Sequence, residues 1–141
     1  MHYMIRILMG LLVALCVSTA LADGQADAAG VASSFRFSME QKRYERIWDS
    51  LLATSFKQLA DKQAFVANLR QGQSQLGAIK GTTLVSQTLS HYDPATNYTG
   101  DMYTFDYRVQ YEKAAFFERV VVIKDTDGSL KVGGIWASPA P

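Results

Sequence analysis

One carboxylate interrupts an apolar strand. Glu118 sits in AFFERVVVIK, residues 115–124, with Phe116 and Val120 two positions away on either side. Side chains two apart on a strand share a face, so this carboxyl group is set in an apolar surface. A carboxyl group beside an aromatic hydroxyl in such a setting can move protons on a small apolar substrate, which is isomerase- or hydratase-type chemistry. Tyr107 is the candidate partner. It lies in DMYTFDYRVQYE, where Tyr103, Phe105, Tyr107, Val109 and Tyr111 alternate with Thr104, Asp106, Arg108, Gln110 and Glu112. The competing reading is structural: Glu118 pairs with Arg108 or Arg119 across the sheet. Asp106 falls on the polar face and is the poorer acid. Large aromatics that could line a ligand site are Trp48, Tyr103, Tyr107 and Trp136, although Trp48, within a helical stripe, is also explained by core packing.

Other chemistries lack their residues. His91 is the only histidine after His2 and stands beside Tyr92 at a strand end, so neither a metal cluster nor a serine–histidine pair can be assembled. There is no G-x-S-x-G and no phosphate-binding glycine loop, and Gly133-Gly134 reads as a bulge or close approach within a strand. No cofactor or metal is expected. The single cysteine, Cys16, lies in the leader.

Residues 1–22 read as a signal peptide. Arg6 precedes the apolar run Ile7 to Val17, and Ala20-Leu21-Ala22 fits an A-x-A cleavage site before Asp23. That run is shorter than the ~20 residues a spanning helix needs. A lipid anchor on Cys16 is disfavoured because Leu15 stands where a small residue belongs. Cleavage would deliver a periplasmic or secreted protein without a thiol or a disulfide. The chain carries 14 Lys and Arg against 13 Asp and Glu, and loss of Arg6 balances them. A neutral chain is a poor electrostatic binder of nucleic acid or of a membrane surface.

These residues are positioned by helices first and strands after. Residues 23–27 are small and polar, a flexible leader. Ala28, Val31/Ala32, Phe35 and Met39, then Tyr44, Ile47, Trp48, Leu51 and Leu52, predict helix over about 28–52 with a kink near 40–43. Residues 53–60 form a connection with one helical turn. Asp61 caps a helix over 61–76, stopped by Gly77. Strands follow at about 82–92, 101–111, 115–124 and 130–136, joined by turns at Asp93–Asn97, Glu112-Lys113 and Thr126-Asp127-Gly128. Residues 138–141 are a tail. The order predicts one α+β domain over 28–137, helices packed on one face of a four-stranded antiparallel meander. The third strand is apolar on both faces, Phe116, Val120 and Val122 against Phe117, Val121 and Ile123. A homodimer through the sheet would cover the outer set.

Several stretches together resemble a bacterial exported family, domain of unknown function 4019. They are Tyr44-x-x-x-Trp48, Ser55-Phe56-Lys57, Leu76-Gly77-Ala78-Ile79, Glu118-Arg119-Val120, and Asp127-Gly128 followed by Val132-Gly133-Gly134. The chain departs from the pattern at Gln73 and Gly81, where arginine is usual, and at Ile135, where tyrosine is usual. The resemblance implies a small α+β domain similar in outline to the cone-shaped nuclear-transport-factor-2-like and cystatin-like folds, export from a bacterial cell, and no assigned activity. The Asn97-Tyr98-Thr99 sequon then has no bearing. The function expected is non-enzymatic, binding of a protein partner or a small apolar ligand.

Overall fold

A computed structural model describes residues 23–94 and 97–141. The leader, and with it the expected cleavage site, lies outside the described residues. The order is helices and then strands, and the fold is α+β.

Helix α1 occupies residues 23–40. Ala28, Ala32, Phe35 and Met39 recur at helical spacing and are buried, whereas Phe37, half a turn away, is half exposed. Residues 23–27, expected as a loose leader, are helical and continuous with the rest of α1. Their register is fixed by Ala28, which is fully buried, and by Gly24, where a Cβ would collide with the Tyr103 hydroxyl. The expected kink is a full stop. Lys42 adopts φ +55°, and Arg43 N–H donates to the Ser38 carbonyl at 2.8 Å. This is the paired-bond helix stop usually built on glycine, here carried by a lysine.

Helix α2, Tyr44–Arg46, runs directly into a π-helical turn, Ile47–Leu51. Leu52 then bridges Val132 in parallel, and Ala53 N–H donates to the Val132 carbonyl at 2.8 Å. Leu52, expected as the end of a helix, thus extends the sheet edge, and the helical turn expected within residues 53–60 is α3, Thr54–Leu59. Helix α4, Lys62–Leu76, begins on Asp61, whose carboxylate accepts from Ala64 N–H at 2.9 Å. It ends at Gly77, φ +83°. Both limits match the sequence signals.

The sheet is an antiparallel meander in the order β1-β2-β3-β4: β1 Ile79–Asp93, β2 Tyr98–Tyr111, β3 Ala115–Lys124, β4 Leu130–Pro139. Strand β4 continues past its expected end, through Ser138 and Pro139 opposite Phe117 and Phe116. It lies on the outer side of the ladder, where a missing N–H is tolerated. One face of the sheet carries Tyr103, Phe105, Tyr107, Val109, Tyr111, Val120, Val122 and Val132, all buried in a single core with the helical stripe. Trp48, Phe56 and Phe65 close this core at one side, with ring centroids 5.5 and 5.7 Å apart in successive pairs. The other face carries no helix from the described core. Val121 and Ile123 are covered there by Tyr98, Met102 and Ala53, while Phe117 remains partly exposed.

Candidate functional site

Glu118 faces the helices and is buried. Its partner is neither Arg108 nor Arg119. Arg36 of α1 donates from one Nη to Glu118 Oε2, and Tyr111 donates its hydroxyl to Oε1 at 2.5 Å. Arg36 is itself 4% exposed. Its Nε and other Nη have no hydrogen-bond partner among the described residues. The rings of Phe35 and Tyr107 stand instead 5.9 and 5.7 Å from the guanidinium carbon, within the range where an aromatic face attracts a cation.

Tyr107 is directly opposite Glu118 in the ladder but packs beneath the guanidinium. The hydroxyl that reaches the carboxylate is that of Tyr111. Burial, and then the Glu118 charge, push the Tyr111 hydroxyl well above its ordinary pKa, so it stays a proton donor. Burial alone raises Tyr107, with the Arg36 charge opposing. A second buried polar contact, Tyr44 Oη to Gln73 Oε1, ties α2 to α4.

The four aromatic ligand candidates are not brought together. Tyr103 and Tyr107 lie in the helix-covered core, and Trp48 packs on Phe65 at its side. Trp136 is on the opposite face of the sheet and 57% exposed.

That opposite face holds a concavity of about 790 Å³ bordered by all four strands. Its centre is a straight row in register: Ser86 opposite Asp106, Asp106 opposite Arg119, Arg119 opposite Trp136. Arg119 grips Asp106 with both ends of its fork, Nε to Oδ1 at 2.7 Å and Nη2 to Oδ2 at 3.0 Å. Ser86 Oγ adds a bond to Oδ2 at 3.0 Å. The hydrogen bonds from Arg119, and secondarily from Ser86, hold the Asp106 carboxyl below its usual range. The same pairing raises Arg119. Val85, in a β-bulge between Leu84 and Ser86, and Phe117 supply apolar walls. Glu118 borders this trough by position, yet its carboxylate is turned to the other face.

Two glycines shape the β4 wall. A Cβ on Gly134 would collide with the six-membered ring of Trp136, so the indole folds back over a bare backbone. Gly133 is the extra residue of a bulge opposite Val121/Val122, and a Cβ there would strike Ile123. Gly134 therefore sets the position of an exposed tryptophan.

Sequence reasoning reached Glu118 and Trp136 and missed Arg36, the Tyr111 hydroxyl and the transverse row. Arg36 could have been found: it is adjacent to Phe35 and four residues after Ala32, at the margin of the α1 stripe. His91 pairs with Asp101 at 2.6 Å, both largely exposed, and no group of three or more His, Cys, Asp or Glu could hold a metal among the described residues. Among the described residues no helix is long and apolar enough to cross a membrane.

Fold and site together define an α+β domain with a helix-covered face closed by a buried ion pair and a second face that carries a shaped trough. Residues 32–135 match the model of the family described as Protein of unknown function (DUF4019), and the chain belongs to that family. No curated protein and no solved structure matches the chain.

Proposed function

We propose that the protein is an exported binding domain that holds a small ligand in the trough on the helix-free face of its sheet. The observation that carries this reading is the trough itself: an exposed, backbone-seated Trp136 next to an ordered Asp106–Arg119 pair, in a volume within the ~300–1,000 Å³ of small-molecule sites. The isomerase- or hydratase-type alternative draws less support. Both oxygens of Glu118 are engaged by Arg36 and Tyr111, and Tyr107 lies under a guanidinium rather than toward a substrate.

Trp136 gives the test. In a Trp48→Phe background its emission is the sole tryptophan signal, and a ligand in the trough shifts or quenches it saturably. Emission unchanged across a broad metabolite panel, with Trp136 fully open to acrylamide, would count against the reading. The same face seated on a second copy of the chain is distinguished by a concentration-dependent mass in sedimentation.

A protein partner is the second reading, favoured by β1. Its outer edge is unpaired within the sheet and fifteen residues long, and Leu84 and Val85 are 47% and 57% exposed. Such an edge is a template for strand addition. Proline substitutions at Thr82 and Thr83, on β1 but outside the trough lining, would abolish partner capture in that case and leave the Trp136 response intact.

A further inference from the structure

We infer that the trough recognises a neutral, polyhydroxylated ring, a saccharide, with the ring seated on the Trp136 indole and its hydroxyls read by the Ser86–Asp106–Arg119 row. This rests on the reading of the trough as a ligand site and adds the ligand's chemical class.

Charge is the first argument. Arg119 is the cation of the trough, and Asp106 neutralises it through two bonds. An anionic ligand would have to compete with that carboxylate. Asp93 stands at the trough's rim, seven residues along β1 from Ser86.

Hydrogen-bond capacity is the second. A guanidinium has five N–H donors, and two are used on Asp106. A carboxylate offers about four acceptor positions, and three are filled by Arg119 and Ser86. The row thus keeps both donors and an acceptor for a ligand whose groups are both donor and acceptor. Hydroxyls are such groups. Thr104 and Ser138 extend this lining along the trough.

The third is the indole. Trp136 is seated on Gly134 and more than half exposed, in register with Arg119. An aromatic face carries negative charge and attracts weakly positive C–H groups. One side of a sugar ring presents such C–H groups while its rim presents hydroxyls. A purely apolar ligand would instead bury Asp106 and Arg119 without replacing their water.

The experiment is an amide-resolved NMR titration of the full chain with three neutral trisaccharides (maltotriose, cellotriose and triacetylchitotriose) and, separately, with anilinonaphthalene sulfonate as an apolar anionic probe. Expected is a saturable shift of the Ser86, Asp106, Arg119 and Trp136 amides by at least one trisaccharide. Affinity should fall about tenfold or more in Trp136→Ala and in Gly134→Ala, which displaces the indole without removing it. Unchanged amide spectra elsewhere establish that these variants fold. If the naphthalene probe shifts these amides and no trisaccharide does up to about 10 mM, the saccharide assignment is wrong and the ligand site stands. If neither probe moves them, both are wrong.

Discussion

Glu118 and Arg119 are consecutive in β3, and each is half of an ion pair, yet the two pairs occupy different physical worlds. Glu118 meets Arg36 with side chains 9% and 5% exposed. Arg119 meets Asp106 with side chains 54% and 28% exposed. On the inner face, two charges have left water, and each depends chiefly on the other, with only the Tyr111 hydroxyl beside Glu118 and the Phe35 and Tyr107 rings beside Arg36 to assist. On the outer face, solvent still screens both partners, and the geometry is better, a two-pronged fork with a serine behind it. The inner pair joins a helix to the sheet across 82 residues of sequence. The outer pair joins neighbouring strands that the ladder already holds together. An ion pair that locks the fold and one that is free to meet a ligand can thus be adjacent in sequence, separated only by strand alternation.

This contrast predicts a graded series. The largest effect belongs to Glu118→Gln, which leaves Arg36 charged and unpaired in the core. Urea unfolding should show a loss of about 3–5 kcal/mol. The double replacement Arg36→Met with Glu118→Leu should recover most of that, because it removes both desolvated charges and keeps volume. A single-variant loss below about 1 kcal/mol would mean that water reaches the pair and the two faces do not differ as described.

Tyr111→Phe comes next. It removes one hydrogen bond to a charged acceptor, at about 1.5–3 kcal/mol. The wild type should also lose stability on the alkaline side. Because Tyr111, Tyr107 and Tyr103 all have pKa values raised by burial, their contribution is complete below the unfolded value of about 10 and is lost as pH rises through the folded values. Tyr111→Phe should blunt that decline, measured as denaturation midpoint against pH.

On the outer face the effects shrink. Asp106→Asn or Arg119→Ala should cost no more than about 1 kcal/mol. Asp106 has a lowered pKa, so its contribution is present above the unfolded value of about 3.9 and fades as pH falls through the folded one. Asp106→Asn should therefore reduce the slope of stability against pH below about 4. Trp136→Ala closes the series, within about 0.5 kcal/mol because the side chain is exposed. Its effect on ligand response should be the greatest of the outer set. A large destabilisation by Trp136→Ala, measured by thermal melting, would make the indole a structural cover and not a binding platform.

Much of this frame was legible from residue types and spacing. The alternation of Tyr103 to Tyr111, the Asp61 cap, the Gly77 stop and the Asp127-Gly128 turn all act over a few residues, and each stands where local physics puts it. The helicity of residues 23–27 and the end of β4 at Pro139 were not legible. Both rest on remote groups, Tyr103 against Gly24 and the Ala115 carbonyl, which accepts from Ala140 N–H at 2.9 Å. The site was half legible. A carboxylate in an apolar strand and an exposed-capable tryptophan stand out in sequence; their partners do not.

The sequence by itself determined that Glu118 and Arg119 point to opposite faces, because strand alternation is a property of the backbone. It also determined that helices precede a meander, because hydrophobic periodicity and turn residues are local. Only the tertiary structure decided which face the helices cover. That choice depends on how the stripe of α1 lies against β2, and it makes Arg36 the partner of Glu118 and leaves Trp136 in the open. Long-range contacts are chosen by the summed burial of many side chains, a quantity that no short stretch of the chain contains.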